Sequence, residues 1–480
     1  MRYGKRVVAL GAVASLVLVA CGSDDDGGSA DTTAAAGTEA PAGTEAPAGT
    51  SAPAGTEGAA TGEGLVNGEI PCDQQHEGKT VSLLSPVRNS ENDPDAIGRF
   101  TNFWAPLAEC TGVTIDFQGT DQFEVQAPVL LQGGSPPDVI DFPQPGLLRT
   151  LADSLIDFPE NVAEHASNDF IEGWEDLYTV DDEIKGIPWR ANVKSMVWYS
   201  PAAFEEGGYE VPETLEELTA LSDQIVADGG TPWCAGIESG VATGWPITDW
   251  FEDFMLRING PEVYDQWVAH EIPFNDPQVK AVADAVGGIL KNADYMGGEN
   301  NVKAIATTKF QDGGVPITTG DCYMHRQASF YNGLFPEGTV VGPPDDPAAD
   351  VTYFYLPVAE EGDPRVMLGA GDILSAGTDK PETWDAILYA TSAEYALEMA
   401  NASPPELSPR NDIDVSQITD PLNASFADLL ASSEVFRFDG ADMMPGAVGS
   451  GTFWTEATAW IVGGSTDDML NNIEASWPAS

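Results

Sequence analysis

Three groups of aromatic residues stand out along this chain of 480 residues. Trp189, Trp198 and Tyr199 fall within eleven residues, Trp245, Trp250 and Phe251 within seven, and Phe453 and Trp454 follow a glycine-rich turn. Several adjoin Gly or Pro, as at the loops where strands end, and open α/β sheets gather ligands at such ends. A flat indole can stack on an apolar ring face. Carboxylates, amides and guanidinium groups can hold a hydroxyl rim. Together they suit a pyranose-like ring, provided the polar groups converge, because each hydroxyl buried without a partner is costly. The platform candidates are Trp198, Trp245, Trp250 and Trp454, with Trp189 behind them. Asp121, Asp141, Gln144, Asp249, Arg326 and Asp372 are the rim candidates.

Each has a plainer role available. A lone Trp usually belongs to a core. Asp249 stands near a helix start and can cap it, Asp141 precedes a Pro-rich turn, and Arg326 has many carboxylates to pair with. Asp121 opens an Asp-Gln-Phe-Glu capping-box pattern. Asp372 follows Gly369-Ala-Gly371, where close backbone approach is easy. The sequence lacks GxSxG, HExxH and GxxxxGK[ST], so esterase, zinc-protease and nucleotide-phosphate readings lose their usual motifs. A secreted glycoside hydrolase would need two opposed carboxylates ~5–9.5 Å apart. With 77 acids in the chain, such a pair is weak evidence. No cofactor is expected. The four histidines (His76, His165, His270, His325) are scattered and no CxxC occurs, so no zinc site is expected either.

The elements that must position these residues begin with a strand over 79–84. An apolar face of Ile97, Phe100, Trp104 and Leu107 predicts a helix over 95–110. A strand over 113–117, a helix over 125–131 and a strand over 138–142 follow. This βαβαβ order argues for a layered, largely parallel α/β lobe. The apolar stretch 187–199 is the expected first crossing to a second lobe. Thr214 and Glu217 form a capping box for a helix over 215–227, and Asp276-Pro277 opens another that runs to 290. A strand over 231–236, a short helix over 323–331 and a strand over 351–356 are also expected. Helices are predicted over 248–258, 383–399, 426–436 and 455–461. A single core rarely grows beyond about 250–300 residues, which again predicts two lobes.

The ends and the charge place the molecule. Arg2, Lys5 and Arg6 precede an apolar run over 7–20, shorter than the ~20 residues of a membrane-spanning helix. The run ends Leu18-Val19-Ala20-Cys21-Gly22, a pattern similar to the bacterial lipoprotein processing site. Residues 1–20 thus read as an export signal and Cys21 as a lipidated first residue, since several acyl chains anchor stably. Residues 21–64 read as a disordered linker. From Gly22 to Gly64 they hold eight carboxylates, no basic residue, no Ile, Leu, Val, Phe or Trp, and a period-six Ala-Pro-Ala-Gly-Thr repeat. As a coil that tether spans roughly 35–40 Å. The chain carries 20 Lys plus Arg against 77 Asp plus Glu, a formal net charge of −57. Such charge repels nucleic acid and anionic lipid and favours solubility. Four further cysteines in an exported chain suggest two disulfides. Of three possible pairings, Cys72–Cys110 and Cys234–Cys322 keep each bridge inside one lobe.

The sequence resembles the family 1 extracellular solute-binding proteins, the maltose-binding-protein-like receptors of ABC importers, and within them the alpha-glucoside-type carbohydrate binders. The similar stretches are Pro137-Asp-Val-Ile-Asp-Phe-Pro-Gln-Pro-Gly146, Val193-Lys-Ser-Met-Val-Trp-Tyr-Ser-Pro201, Trp233-Cys-Ala-Gly-Ile-Glu-Ser-Gly240 with Thr243-Gly-Trp-Pro-Ile-Thr-Asp-Trp250, and Gly320-Asp-Cys-Tyr-Met-His-Arg-Gln-Ala-Ser-Phe330. They span roughly residues 78–475. Cys234 and Cys322 lie inside two of them, which supports their pairing. The resemblance implies a periplasmic-binding-protein-like α/β fold of two lobes, joined by hinge crossings, that close over a solute. It implies first-lobe parts at 65–190 and 346–405 and second-lobe parts at 191–345 and 406–480. Asp141, Gln144 and Asp372 would then line the first-lobe side, and Trp245, Asp249, Trp250 and Arg326 the second. The implied function is a non-enzymatic, monomeric carbohydrate receptor. It would be lipid-anchored at the outer face of the cytoplasmic membrane and would deliver its solute to ABC permease subunits. A sugar sensor or an adhesive lipoprotein of the same fold is the alternative.

Overall fold

A computed structural model describes residues 65–171 and 173–478. The expected signal, Cys21 and the linker 21–64 lie outside the described residues.

The first-lobe sheet grows from the expected βαβαβ run. Strands β1 (Thr80–Ser85), β2 (Thr114–Gly119) and β3 (Val139–Phe142) pair in parallel, with β1 in the middle. The predicted helix 95–110 is two helices, Ala96–Asn102 and Ala105–Thr111, because Pro106 sits where the second must start. Helix Phe123–Gln132 starts after Gln122, so Asp121 is not its cap and the expected capping box is not made. Beyond β3 the sheet continues with a strand that pattern reading overlooks. That strand, Val366–Ala376, carries Gly369 and Gly371, which break its apolar pattern.

Strand β4 (Ile187–Val193) belongs to this sheet, whereas β5 (Met196–Tyr199) lies in a second, antiparallel sheet. The chain therefore crosses between lobes at Lys194-Ser195. In the second sheet β5 is flanked by β6 (Met324–Arg326) and β7 (Thr352–Tyr355). The chain then returns along β8 (Val366–Ala376), which pairs antiparallel with β3 and β4 and parallel with β9 (Val435–Phe438). After β9, helix Gly440–Met443 enters the second-lobe core through Ala441 and Met444. The crossings thus lie near 194, 356–366 and 439. They displace the expected boundaries: 190/191 falls inside β4, 346–365 includes second-sheet strand β7, and 406–438 still ends in the first-lobe sheet. A strand stays apolar and extended as it changes sheet, so its composition marks no boundary.

Both predicted caps of the second lobe form. Thr214 Oγ1 accepts from Glu217 N at 3.2 Å and Glu217 Oε2 accepts from Thr214 N at 3.2 Å, starting helix Leu215–Ala227. Asp276 Oδ1 accepts from Gln278 N at 2.8 Å at the start of helix Pro277–Leu290. Residues 231–236 form no strand beyond a single bridge from Trp233 to Met324. Residues 323–331 form β6 and a 3-10 turn from Ser329, not a helix. The helix predicted over 383–399 is interrupted at Thr391-Ser392, and that over 426–436 gives way to β9 after a helix at Pro421–Ala431. The disulfides are Cys72–Cys110 and Cys234–Cys322, as expected.

Candidate functional site

A cavity of about 250 Å³ lies between the lobes. Its first-lobe wall is set by strand ends. Ser85, the last residue of β1, donates from Oγ to Asp141 Oδ2 at 2.6 Å and accepts from Val87 N at 3.0 Å, tying the loop after β1 to the end of β3. Gln144 follows β3 at the start of helix Pro145–Leu151. Its Nε2 donates to Glu124 Oε1 at 3.3 Å, while its Oε1 is buried without a partner. Arg190 of β4 stands opposite Asp372 of β8 in cross-strand register. The guanidinium pairs with Asp372 and, at 3.5 Å, with Glu406, and it covers the rings of Phe100 and Trp189 at 4.8 and 4.9 Å. Gly371 makes this register possible. A Cβ there would lie 2.3 Å from Arg190 O and 2.7 Å from the Trp174 ring.

The second-lobe wall is helix Trp245–Asn259. Its start is locked by Gly244, at φ +118°, where a Cβ would lie 2.3 Å from Trp454 O. Trp245 packs edge-on to Phe310 at 5.1 Å and faces the Lys194 ammonium at 5.6 Å. Trp454 follows a π-helical turn, Val448–Phe453, of the kind that often marks functional sites, and its Nε1 is buried without a partner.

Between the walls the crossings converge on one helix face, Asp249, Glu252, Asp253 and Arg257. Lys194 Nζ donates to Asp249 at 3.0 Å and to Asp439 at 2.5 Å. Arg326 donates to Asp249 Oδ2 at 3.0 Å and, from Nε, to Asp253 Oδ2 at 3.0 Å. Asp253 Oδ1 accepts from Ser195 Oγ at 2.5 Å and from Arg257 at 2.8 Å, while Arg257 also donates to Leu356 O and Pro357 O, both at 2.8 Å. Residues of the first two crossings and Asp439 beside the third are thereby bonded to one helix or its partners.

Burial and pairing divide these groups. Burial pushes Asp249 up to about 6 against the pull of Lys194 and Arg326. Burial, then Asp439 and Asp249, hold Glu252 well above the carboxylate range. Burial alone would raise Asp253, yet Arg326 and Arg257 keep it below its ordinary value. On the first-lobe side burial and the neighbouring Asp372 raise Asp141 far above the carboxylate range despite Arg190. Asp249, Glu252 and Asp439 bring carboxylate oxygens within 4.8 Å of one another, a spacing that would suit a cation, but the Lys194 ammonium already pairs with two of them.

Asp121, Gln144, Trp245, Asp249, Asp372 and Trp454 all line the cavity. Asp141, Trp198, Trp250 and Arg326 do not line it. Asp141 lies behind Ser85. Arg326 sits beneath Asp249 and Asp253. Trp250 follows Asp249 by one residue, about 100° round the helix, and packs on Trp233 at 5.2 Å. Trp198 turns to the far side of β5, where Nε1 donates to Gln327 O at 3.0 Å and the ring meets Phe335, Tyr353 and Phe426. Sequence reasoning missed Phe100, Arg190, Lys194, Glu406 and Asp439. Two cations four residues apart in an apolar stretch, within a chain holding only 20 Lys plus Arg, were the signal for Arg190 and Lys194.

A family profile described as bacterial extracellular solute-binding protein matches residues 96–397. The chain is 41% identical over 379 residues to the osmoprotective compounds-binding protein GgtB of Synechocystis sp., covering 78% of this chain and 88% of that one. It is 36% identical over 416 residues to the alpha-glucosides-binding periplasmic protein AglE of Rhizobium meliloti, covering 84% and 87%. Among solved structures it resembles a chitin oligosaccharide binding protein, with TM-score 0.68, 16% identity and coverage of 82% and 97%. It also resembles the solute-binding protein RafE in complex with raffinose, with TM-score 0.62, 19% identity and coverage of 83% and 98%. At such identities the structural likeness concerns the fold.

Proposed function

The chain belongs to the bacterial extracellular solute-binding proteins, and on that premise we propose that it is a carbohydrate receptor of an ABC importer. It takes a sugar between its lobes and presents the closed form to the permease. The observation that carries this reading is the composition of the cavity. Phe100, Trp245 and Trp454 offer aromatic surface there, and Gln144 Oε1 and Trp454 Nε1 are respectively a buried acceptor and a buried donor without protein partners. A hydroxyl can serve both, since it donates and accepts. The buried cations of the walls, Arg190 and Lys194, are each paired with two carboxylates, which favours an uncharged, hydroxyl-rich solute. The cavity, at about 250 Å³, lies just below the usual range for small-molecule sites. Alpha-glucosides, the ligands in the name of the Rhizobium relative, are the first class to test.

The chemistry is binding. A ligand that touches both walls shifts the lobes toward closure by its preference for that state. The receptor works as a monomer outside the cytoplasmic membrane, tethered through a lipidated Cys21 and the acidic linker. Among the described residues no helix is long and apolar enough to cross a membrane. Calorimetry of the mature protein against a carbohydrate panel tests the reading. Heat with one sugar is expected, and Trp245→Ala should weaken binding at least about tenfold, since buried aromatic anchors are worth on the order of 2 kcal/mol. Absence of binding to any sugar, with tight binding of a peptide or a metal, would reject it.

A further inference from the structure

The lobes also touch where no chain crosses between them. After β1 the loop over residues 86–95 is braced by its own side chains. Ser90 N donates to Asp93 O at 2.8 Å and Asp93 N donates to Ser90 Oγ at 3.0 Å. Asp93 takes two bonds from Arg99, at 3.0 and 2.9 Å, and Asn89 Oδ1 accepts from Ile97 N at 2.9 Å. From this braced loop Asn92 reaches the other lobe. Its Nδ2 donates to Gln311 O at 3.0 Å and to Asp312 Oδ1 at 3.1 Å. The receiving turn is equally fixed. Phe310 N donates to Glu238 O at 3.0 Å, and the Tyr331 hydroxyl donates to the same Gln311 carbonyl at 2.8 Å. Beside this contact the Arg88 guanidinium lies 5.9 Å from the Phe310 ring centre. Gly240 abuts the Asp121 carbonyl so closely that a Cβ would lie 2.8 Å from it.

None of these residues lies on a crossing, so a rotation that opens the cleft about the crossings must part them. Neither Asn92 nor Asp312 lines the cavity. We propose that Asn92 is a positioning residue for closure, clasping the lobes through Gln311 and Asp312 and setting how long a solute is held without touching it. The inference rests on the receptor reading above, in that closure serves binding. The physical reason is additive. A closed state stabilised by a lobe–lobe hydrogen bond to a carboxylate needs less from the solute, and the bond is absent from the open encounter state. It therefore acts on dissociation more than on association.

The test compares wild type with Asn92→Ala, Asn92→Asp and the double variant Asn92→Asp/Asp312→Asn. Solution scattering of the solute-free protein reads lobe opening. Stopped-flow titration with maltose, trehalose and sucrose reads the rates. Asn92→Ala should enlarge the radius of gyration and raise the dissociation rate roughly five- to tenfold, with association nearly unchanged. Asn92→Asp sets two carboxylates face to face and should do more. Asn92→Asp/Asp312→Asn restores an amide–carboxylate pair and should recover part of the loss, which a role in loop folding alone would not produce. Unchanged scattering and dissociation in Asn92→Ala and Asn92→Asp would overturn the clasp. If Trp245→Ala has meanwhile abolished binding, the receptor reading survives that outcome. If no sugar binds any form, the carbohydrate reading fails and scattering alone decides the clasp.

Discussion

Around Arg190 one cation serves three carboxyl groups, Asp141, Asp372 and Glu406. Around helix 245–259 three cations, Lys194, Arg257 and Arg326, serve Asp249, Asp253 and Asp439, with Glu252 and Asp442 close by. Both clusters are buried. The first leaves polar atoms over: Asp141 Oδ1, Arg190 Nε and, nearby, Gln144 Oε1 have no protein partner. In the second, Glu252 Oε2 is left over at the edge, but the Asp249–Asp253 centre is satisfied: both oxygens of each are bonded, and their partners reach into the crossings. An under-satisfied cluster on strand ends suits a ligand that completes it. A satisfied cluster on a helix suits a hinge that must keep one geometry, because buried charge is tolerated only when fully paired.

The sharpest way to break this contrast is Asp253→Ala. It strips Arg257 and Arg326 of their shared acid and should cost about 3–5 kcal/mol in urea unfolding. A loss below 1 kcal/mol would show that the second cluster is not structural. Next comes Arg190→Lys, which keeps the charge but loses the planar fork. Binding of the best sugar should weaken about tenfold by calorimetry, with a stability change near 1 kcal/mol. Equal effects on stability from Arg190→Lys and Asp253→Ala would erase the distinction.

The pH dependence of the two helix carboxyls has opposite sign. Glu252 is raised by burial and by Asp439 and Asp249, so the folded state holds a proton that the unfolded chain releases near 4.5. Its contribution is present at low pH and lost as pH rises from there through the folded value. Glu252→Gln should therefore gain stability over wild type between pH 5 and pH 8.5, read by urea unfolding at both. Asp253 is lowered, so its contribution is present above its ordinary 3.8 and lost as pH falls through the folded value. A wild-type-like pH profile in Glu252→Gln would contradict the assignment of a buried, protonated Glu252. The smallest effect belongs to Trp198→Phe. This residue packs behind β5, so sugar affinity should stay within twofold, roughly 0.4 kcal/mol, while stability falls about 1 kcal/mol. A larger affinity loss would bring Trp198 back to the cavity.

Much of the cavity was legible because its residues advertise themselves locally. Trp245 and Trp454 stand beside Gly244 and after a glycine-rich turn, and Asp372 follows two glycines that proved to be sites of close approach. The four misplaced candidates fail for a shared reason. Trp250 and Trp198 have the right chemistry on the wrong side of their elements, and the side of a helix or strand that meets a cleft depends on what packs against the other side. Arg326 and Asp141 lie one layer behind the surface, a depth that residue type does not encode.

What the chain alone determined is what neighbours in sequence can settle: the caps at Thr214 and Asp276, the βαβαβ run and the apolar stretch 187–199 that carries the first crossing. Disulfide partners and family followed from longer patterns of the same kind. Tertiary structure decided the rest. The long strand β8 reads as a glycine-broken run until β3, β4 and β9 pair with it, and that pairing sets Asp372 against Arg190. Lys194 meets Asp439 only because two crossings lie side by side. Such contacts join residues 182 and 245 positions apart, and only a folded backbone brings side chains of that separation within hydrogen-bonding reach.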